Sequence, residues 1–500
     1  MNLTKWLFIS SKYLNKEAIL TNSETLMYPQ IFNYANKISF FIASKFEKGN
    51  IIAILSHNSF FFIASYLGVV KSGCIAFLLD PKSSKEELEQ YISKSGANCI
   101  LSENRLLTKL KNTQNNVISE TTISLITEEK PIFDFTDKYI GEGDSPAVIM
   151  LTSGSSSNKK MVLLSHKNII SNTKSIINYL KLNENDRICV VLPFHYCYGT
   201  SLLHSHIHVG GSLFLHNSIF IGTVTKEINE YNCTGFAGVP TTFFILQNKT
   251  KFLDNKYIDL RYITQAGGKL ASSILKKIKI KIPYVDIYVM YGQTEASARL
   301  SYLPPELLLK KIDSIGKGIP GVELKVIDDN NKPVDIGSVG ELIAKGENIM
   351  LGYLNDEKAT KQKLKNGFLH TGDLAKVDRD GFIYIIGRKD DLIKTAGHRV
   401  SPYEIESIII TFPGVIACAI VGLEDNLLGE SLVAYVVIKS DYDLKEEIFK
   451  MCKKKLVSYK QPKHIKIIKS LPINSNMKVD RNILKEKARQ EFIRNESGLL

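Results

Sequence analysis

Apolar runs of strand length alternate with stretches of helix length through much of this 500-residue chain, and that alternation limits the architectures open to it. Residues 50–56 form a strand-like run, 59–71 an amphipathic stretch and 74–79 a second strand-like run. A crossover between two buried strands returns the chain in its original direction, so the pattern calls for an α/β fold with largely parallel sheets. Further buried-strand candidates are residues 147–151, 187–192, 211–215, 262–266 and 286–290. Beyond residue 310 the texture changes. Gly-Lys-Gly-Ile-Pro-Gly at 316–321 and the turn Asp328-Asp329-Asn330-Asn331 point to smaller β-units. A chain of this length exceeds what one hydrophobic core organises. We therefore expect a large N-terminal domain over residues 1–389, made of α/β sheet subdomains plus a β-subdomain, and a small α/β C-terminal domain over 390–500.

Composition permits an enzyme: 44% of residues are apolar and 23% charged, ordinary for a soluble protein. The apolar opening Trp6-Leu7-Phe8-Ile9 is too short for a signal peptide and no run reaches the length of a membrane span, so a cytoplasmic location is expected. The cysteines, at 74, 99, 189, 197, 233, 418 and 452, form neither close pairs nor a metal-like spacing and are read as reduced thiols. A net charge of +13 is compatible with nucleic acid, anionic lipid or a polyanionic cofactor. The lysines are scattered among asparagine and isoleucine, a general compositional bias, and no basic block carries interleaved aromatics, so nucleic acid is not an expected partner.

Residues 370–406 constrain function most tightly. They read His-Thr-Gly-Asp-Leu-Ala-Lys-Val-Asp-Arg-Asp-Gly-Phe-Ile-Tyr-Ile-Ile-Gly-Arg-Lys-Asp-Asp-Leu-Ile-Lys-Thr-Ala-Gly-His-Arg-Val-Ser-Pro-Tyr-Glu-Ile-Glu. Alternating apolar residues at 375–377 and 382–386 flank an Asp378-Arg379-Asp380-Gly381 turn, which predicts an antiparallel hairpin. Ser401, Pro402 and Glu404 then compose a capping box with proline in the first turn, so a helix is predicted from that point. Four other clusters carry chemistry-bearing residues: Thr152-Ser153-Gly154-Ser155-Ser156-Ser157-Asn158-Lys159-Lys160; Pro193-Phe194-His195 with Tyr198-Gly199; Tyr291-Gly292-Gln293-Thr294-Glu295; and Gly340-Glu341-Leu342 with Gly352-Tyr353. A last segment, Asn474 to Asp480, carries Lys478.

In this order the motifs resemble those of the AMP-forming adenylating enzymes, the superfamily of acyl-CoA synthetases, peptide-synthetase adenylation domains and firefly luciferase. The Thr152–Lys160 loop is rich in small hydroxyl residues whose backbone N–H groups can approach phosphate, with a lysine to oppose its charge. It is not a Walker motif, because Lys159 stands where the second glycine belongs and Met161 where the magnesium-binding hydroxyl belongs. Against the superfamily pattern, Ser157 replaces glycine, Lys159 proline and Met161 glycine, while Thr152, Ser153, Gly154 and Lys160 are retained. The resemblance implies that Thr152, Ser153, Gly154, Ser155, Ser156 and Lys160 bind ATP. It places Gly267, Gly268 and Lys269 beside the adenine, stacks Tyr291 on that ring, and adds Gly292, Gln293 and Thr294 to the nucleotide site. Glu295, with Thr152, would hold Mg²⁺, a cation that favours oxygen ligands. Asp373 suits the ribose diol as an acceptor, with Arg388 supporting the sugar or the phosphates; from pair chemistry alone the two could equally be a surface ion pair. Phe194, His195, Tyr198, Gly238 and Val239 would line the acyl pocket.

The activity so implied is attack of a carboxylate on the α-phosphorus of ATP, with Lys478, Glu295 and Thr294 as catalytic residues, followed by transfer to a thiol. The C-terminal domain would be mobile, turning about a hinge at Asp390 to exchange Lys478 for a thiol-acceptor face at Lys394, Ala396 and Gly397. The implied cofactors are ATP, Mg²⁺ and CoA, or the phosphopantetheine of an acyl carrier protein; the implied acid is a fatty or other acyl acid. Three rivals follow. A peptide-synthetase amino-acid activator normally has aspartate in its Phe-Asp motif, where this chain has Phe194-His195. A ligase for a carrier protein would use the same thiol arm, with the basic residues Lys450, Lys453–Lys455, Lys460 and Lys463 suited to either acceptor. A homologue that binds adenylate without turnover would draw on the altered loop and on Met477, which replaces glycine before the lysine. Separately, His204, His206 and His208 share a face of a strand, and two of them a face of a helix, which invites a metal site; with no Cys, Asp or Glu nearby, packing is the expected role.

Overall fold

The computed structural model describes residues 1–493 apart from 10, 12–13, 112, 129–142, 153–158, 219, 440–443 and 475–477. Among these the strands form four sheets. In the seven-stranded sheet, Ile51–Leu55 pairs in parallel with Ile75–Leu79 and Cys99–Ser102, and Ile75–Leu79 with Pro146–Leu151. The nine-stranded sheet holds a parallel run through Arg187–Val190, Gly235–Gly238, Tyr262–Gln265 and Asp286–Tyr291. Every strand expected in this half of the chain is present, its ends shifted by one or two residues: 147–151 and 286–290 each gain one residue and the others are shortened.

Side-chain alternation explains how two such sheets share one domain. Along Ile51–Leu55, Ile52 and Ile54 enter the largest apolar cluster, while Ala53 and Leu55 enter a second cluster on the opposite face. Ala76 and Leu78 repeat the first choice, Phe77 and Leu79 the second. The large cluster also takes Ile188, Val190, Leu213 and Ala237 from the nine-stranded sheet, so a single core joins the inner faces of both. Helices Phe60–Lys71, His166–Leu180 and Cys197–Val209 contribute to that core. The first of them is not amphipathic as expected. Residues 61–70 are buried all round, since a helix held between sheets and neighbouring helices has no solvent face. Gly68 allows the approach of helix Tyr28–Lys45, because a Cβ there would lie 2.6 Å from Ile38 Cγ2.

The three histidines on helix Cys197–Val209 are absorbed by this interior. His204 Nε2 is 2.7 Å from the Tyr66 hydroxyl, His206 Nε2 3.0 Å from that of Tyr262, and the His208 ring stacks on Trp6 at 3.7 Å. Burial drives His204 down to about 3 and His206 to about 4, so both stay neutral and serve packing.

Past residue 310 a five-stranded sheet contains Val322–Ile327, Gly340–Gly346, Phe368–Val377 and Ile383–Arg388. The hairpin between the last two closes where the Asp378 amide donates to the Phe382 carbonyl, with Gly381 at φ +80°. A fourth sheet, built around Val415–Asp425 and Gly429–Ile438, has its own apolar clusters with helices Pro402–Ile409, Lys445–Lys455 and Arg481–Ala488. The helix at Pro402 starts where expected, but not through a capping box. The Ser401 hydroxyl donates to the Ile386 carbonyl at 2.6 Å, and Glu404 pairs with Lys460 at 2.7 Å. Strand Ile383–Arg388 ends a sheet and has outward carbonyls to satisfy, and this one takes the hydroxyl. Gly387 is required beside it, since a Cβ there would stand 2.6 Å from Ser401 Oγ.

At the amino ends of the nine-stranded sheet, Asp186 is 2% exposed and gathers Arg261 Nε and Nη2, both at 2.7 Å, the Thr234 hydroxyl at 2.8 Å and the Asn183 amide at 2.9 Å. Burial pushes its carboxyl up, but these donors outweigh burial and hold it below the usual range. Breaking a buried pair leaves the partner uncompensated; because Arg261 is partly exposed, we expect Asp186→Asn to cost about 2 kcal/mol at neutral pH. A depressed native pKa contributes stability above the unfolded value, near ~3.9, and loses it as pH falls through the native one. Urea unfolding of wild type and variant should thus converge in strong acid; a gap independent of pH would contradict this role.

Candidate active site

Parallel strands bring their carboxyl ends to one crevice, where open α/β sheets receive ligands. Gly235–Gly238 ends at Val239, Tyr262–Gln265 runs into Ala266-Gly267-Gly268, and Asp286–Tyr291 runs into Gly292-Gln293-Thr294-Glu295. Gly292 has to be glycine, since a Cβ would fall 1.9 Å from the Ala298 carbonyl oxygen. Gly267 takes φ +85°, and a Cβ on it would meet Val239 Cγ1 at 3.0 Å and Lys478 Cε at 3.5 Å. The Gly268 carbonyl accepts from Gln265 Nε2 at 2.7 Å. Lys269 turns aside to Asp313, 3.2 Å away. The Gln293 amide is buried with neither its oxygen nor its nitrogen bonded to protein, an orphaned donor and acceptor that suits a bound polar ligand.

The hairpin sets the next group. Asp373 lies opposite Arg388 in the antiparallel register; Arg388 Nε is 3.1 Å from Asp373 Oδ1, and the Tyr291 hydroxyl donates to Asp373 Oδ2. The ion pair weighed from sequence exists and joins a buried carboxylate to a half-exposed guanidinium: Asp373 is 8% exposed and the Arg388 side chain 48%. Burial lifts this carboxyl above its ordinary range against the pull of Arg388. Sequence reading missed Lys363, whose Nζ donates to the Thr371 carbonyl at 2.9 Å, two residues before Asp373. Burial lowers its pKa, while Glu295 and Asp373 act to raise it. Only its position ten residues before Asp373 marks it in the sequence.

Thr294 begins a short 3₁₀ turn with its hydroxyl 3.7 Å from Cys197 Sγ. Glu295 is 8% exposed and accepts from the Tyr353 hydroxyl at 2.7 Å; among the described residues no cationic side chain lies within ion-pair distance of it. A buried carboxylate with one oxygen engaged and no counter-charge fits a hard divalent cation. The Thr152 amide donates to the Lys160 carbonyl and the Lys160 amide to Thr152 Oγ1, both at 3.0 Å, pairing the two ends of the segment expected to bind phosphate. Lys160 Nζ lies 3.4 Å from Asp356 and over the Tyr353 ring. Ser153, Gly154, Ser155, Ser156 and Ser157 lie outside the described residues. Met161 departs from the glycine of the pattern because its side chain, 7% exposed, fills the outer apolar cluster. Lys159 sits over the Tyr91 ring.

The expected acyl-pocket residues gather on the inner side. Phe194 is fully buried, its amide bonded to Asn58 Oδ1 at 2.8 Å. His195 Nε2 is 3.6 Å from Asp80. Burial drives this imidazole down to about 4 against that carboxylate, so it is neutral. Tyr198 is 1% exposed, its hydroxyl 2.8 Å from Thr264 Oγ1. Gly199 makes the elbow beneath them, as a Cβ there would stand 2.1 Å from the Pro193 oxygen. Val239 is buried, and Gly238 packs against Thr242 and Phe243.

Lys478 arrives from the C-terminal segment. Asn474 and Lys478 bond to each other, the Asn474 amide donating to the Lys478 carbonyl (2.8 Å) and the Lys478 amide to the Asn474 side-chain oxygen (3.0 Å), which fixes the backbone at the lysine. Its Nζ lies 5.5 Å from the centre of the Tyr196 ring, beside Gly267. Burial lowers its pKa, opposed by Cys197 and Tyr403. Met477 lies outside the described residues. Lys394, Ala396 and Gly397 are not brought here: they form an exposed hairpin turn bonded to Leu428 and Glu430. Asp390 is exposed in the turn between the third and fourth sheets.

The AMP-binding enzyme family matches residues 9–354, and the AMP-binding enzyme C-terminal domain matches 404–478. The chain is 26% identical to a long-chain-fatty-acid–CoA ligase of Escherichia coli O6:H1, over 96% of this chain and 93% of that one. It is 29% identical to a 2-succinylbenzoate–CoA ligase of Bacillus licheniformis, over 94% and 96%. The structure of o-succinylbenzoate coenzyme A synthetase from Bacillus subtilis in complex with ATP and magnesium ion matches at TM-score 0.85 and 26% identity, covering 97% of this chain and 99% of that one. With its crevice, its delivered lysine and these likenesses, the chain belongs to the AMP-binding enzyme family, within the AMP-forming adenylating superfamily, and is an AMP-forming acid–thiol ligase.

Proposed function

We propose that this enzyme joins a carboxylic acid to ATP, releasing pyrophosphate, and passes the acyl group from the resulting adenylate to the thiol of CoA, releasing AMP. The observation that carries the reading is Lys478, held beside Gly267 and Tyr196 at the carboxyl end of the nine-stranded sheet. In the first step a carboxylate oxygen attacks the α-phosphorus and the bond to pyrophosphate breaks; negative charge gathers on the phosphoryl oxygens, so a positioned cation lowers the barrier. Lys478 supplies it. Asp373 accepts from the ribose, Arg388 holds Asp373 in place, and Gln293 offers its amide to the nucleotide. Glu295, with Thr152, would hold Mg²⁺, which offsets charge on the phosphates when bound. In the second step the thiol sulfur attacks the acyl carbon, the bond to the AMP oxygen breaks, and the thiol proton leaves to solvent.

The acid is not fixed by relatives, whose names include long-chain fatty acids, oxalate and 2-succinylbenzoate. An amino acid is disfavoured because neutral His195 offers no charge to an α-ammonium. We divide the chain into domains at 1–389 and 390–500, with Asp390 as the pivot that withdraws Lys478 and presents Lys394, Ala396 and Gly397 for the thiol step. Of the basic residues offered to an acceptor, Lys460 and Lys463 are already paired with Glu404 and Asp425, leaving helix Lys445–Lys455 as the charged face. We place the enzyme in the cytoplasm, where its seven unpaired cysteines stay reduced; no described helix is long and apolar enough to cross a membrane.

Removing one preorganised charge stabiliser costs on the order of 100-fold. Lys478→Ala should slow pyrophosphate release by at least that much, while thioester formation from a supplied acyl-adenylate survives. Equal loss in both half-reactions would refute the assignment. Asp390→Pro, which restricts φ at the pivot, should do the reverse in stopped-flow measurements, keeping adenylation and slowing thioester formation. For the acceptor, kcat/KM with CoA should exceed that with holo carrier proteins; efficient carrier loading with negligible CoA turnover would replace CoA with a carrier.

A further inference from the structure

Arg299 is a buried cation that the reaction as described does not use. It is 2% exposed, and its guanidinium lies flat over the Tyr198 ring with Cζ 3.9 Å from the centroid. Nε meets Met290 Sδ at 3.3 Å and Nη2 meets Ser201 Oγ at 3.4 Å, both weak partners. Among the described residues no carboxylate stands within ion-pair distance; the Tyr179 hydroxyl also bonds the guanidinium but is a neutral partner, since burial pushes its pKa up. Lysines and arginines are almost never buried this deeply without a counter-charge, because desolvating the ion is costly and a ring face recovers only part of that cost.

The backbone that delivers it is specially held. Ser297 and Ala298 precede it at φ +57° and +129°, conformations that non-glycine residues seldom adopt. Asn172 bonds the Arg299 backbone on both sides, its oxygen accepting from the amide at 3.3 Å and its nitrogen donating to the carbonyl at 2.8 Å; Asn348 donates to the same carbonyl at 2.9 Å. Strain and clamp thus fix one position for the guanidinium. That position lies against Tyr198, which the resemblance assigns to the acyl pocket; Met290 is the next-to-last residue of the strand that leads to Thr294, and the Cys197 thiol lies within electrostatic reach of both Arg299 and Lys478.

We propose that the acid activated by this enzyme carries a second carboxylate, which Arg299 binds at the inner end of the acyl pocket while the first is adenylated. The proposal rests on the acid-activating reading above and names its substrate class. A guanidinium fork matches a carboxylate bidentately, and a charged group taken into this pocket gains the counter-charge that the protein withholds. The simple fatty acid entertained from sequence gives Arg299 no such partner.

The test measures pyrophosphate release by the full-length enzyme with Mg-ATP, comparing succinate, glutarate, adipate and suberate with butyrate, valerate, hexanoate and octanoate. A site built around a buried polar contact rejects analogues lacking it by several orders of magnitude. At least one diacid should therefore exceed its monoacid by ~100-fold or more in kcat/KM. Arg299→Met should collapse that diacid to the monoacid level without lowering the melting temperature, and Arg299→Lys should keep part of the preference. A wild type that favours monoacids overturns the proposal, whether or not the variants fold. So does an Arg299→Met that loses both series in proportion and melts early, since that marks a structural arginine. If neither series, nor any other acid, releases pyrophosphate, the adenylation reading fails and this proposal falls with it.

Discussion

The central strands of the two large sheets are apolar on both faces, so none can stand at the surface, and this requirement orders the rest of the molecule. Ile52 and Ile54 face inward while Ala53 and Leu55 face the outer helices. With Val190, Leu213 and Ala237 of the other sheet they make one continuous core. That core is why helix Phe60–Lys71 is buried all round, and why polar groups within it, such as His204 and His206, are matched to the tyrosines Tyr66 and Tyr262. Because it fixes the strands, it also fixes where their carboxyl ends open.

At that opening the protein holds charges where water is scarce. Glu295 and Arg299 are buried without an ionic partner among the described residues, and Asp373 shares Arg388 while accepting from Tyr291. Such groups destabilise an empty site and strengthen every interaction with a charged ligand, since the low local dielectric acts on both. The lysine that completes the set comes from the far end of the chain. Arg481, the first residue of helix Arg481–Ala488, bonds Glu406 of helix Pro402–Ile409 by both terminal nitrogens at 2.6 and 3.0 Å and the Ile420 carbonyl of the fourth sheet at 2.8 Å. Lys478 is therefore carried as part of a packed unit, and the Ser401–Ile386 bond ties that unit to the third sheet.

Much of this was legible in the chain. Strand-length apolar runs bounded by polar turns report their burial directly, and the Asp378–Gly381 hairpin and the helix at Pro402 follow from turn chemistry. The resemblance of ordered motifs supplied the candidate nucleotide residues and Lys478. What the motifs could not convey were partners chosen by packing. Ser401 satisfies an edge-strand carbonyl instead of a helix amide, Lys269 answers Asp313 instead of the crevice, and Met161 fills a core where the pattern has glycine. Each choice depends on a neighbour distant in sequence.

The sequence by itself determined the α/β class and the positions of the central strands to within a residue or two, because periodicity and local turn chemistry are properties of adjacent residues. Only the tertiary structure decided which buried charges find a counter-charge. Lys363 and Arg299 look like unremarkable surface residues in the chain; folding places the first behind Asp373 and the second over Tyr198, since burial is set by what packs from the other side.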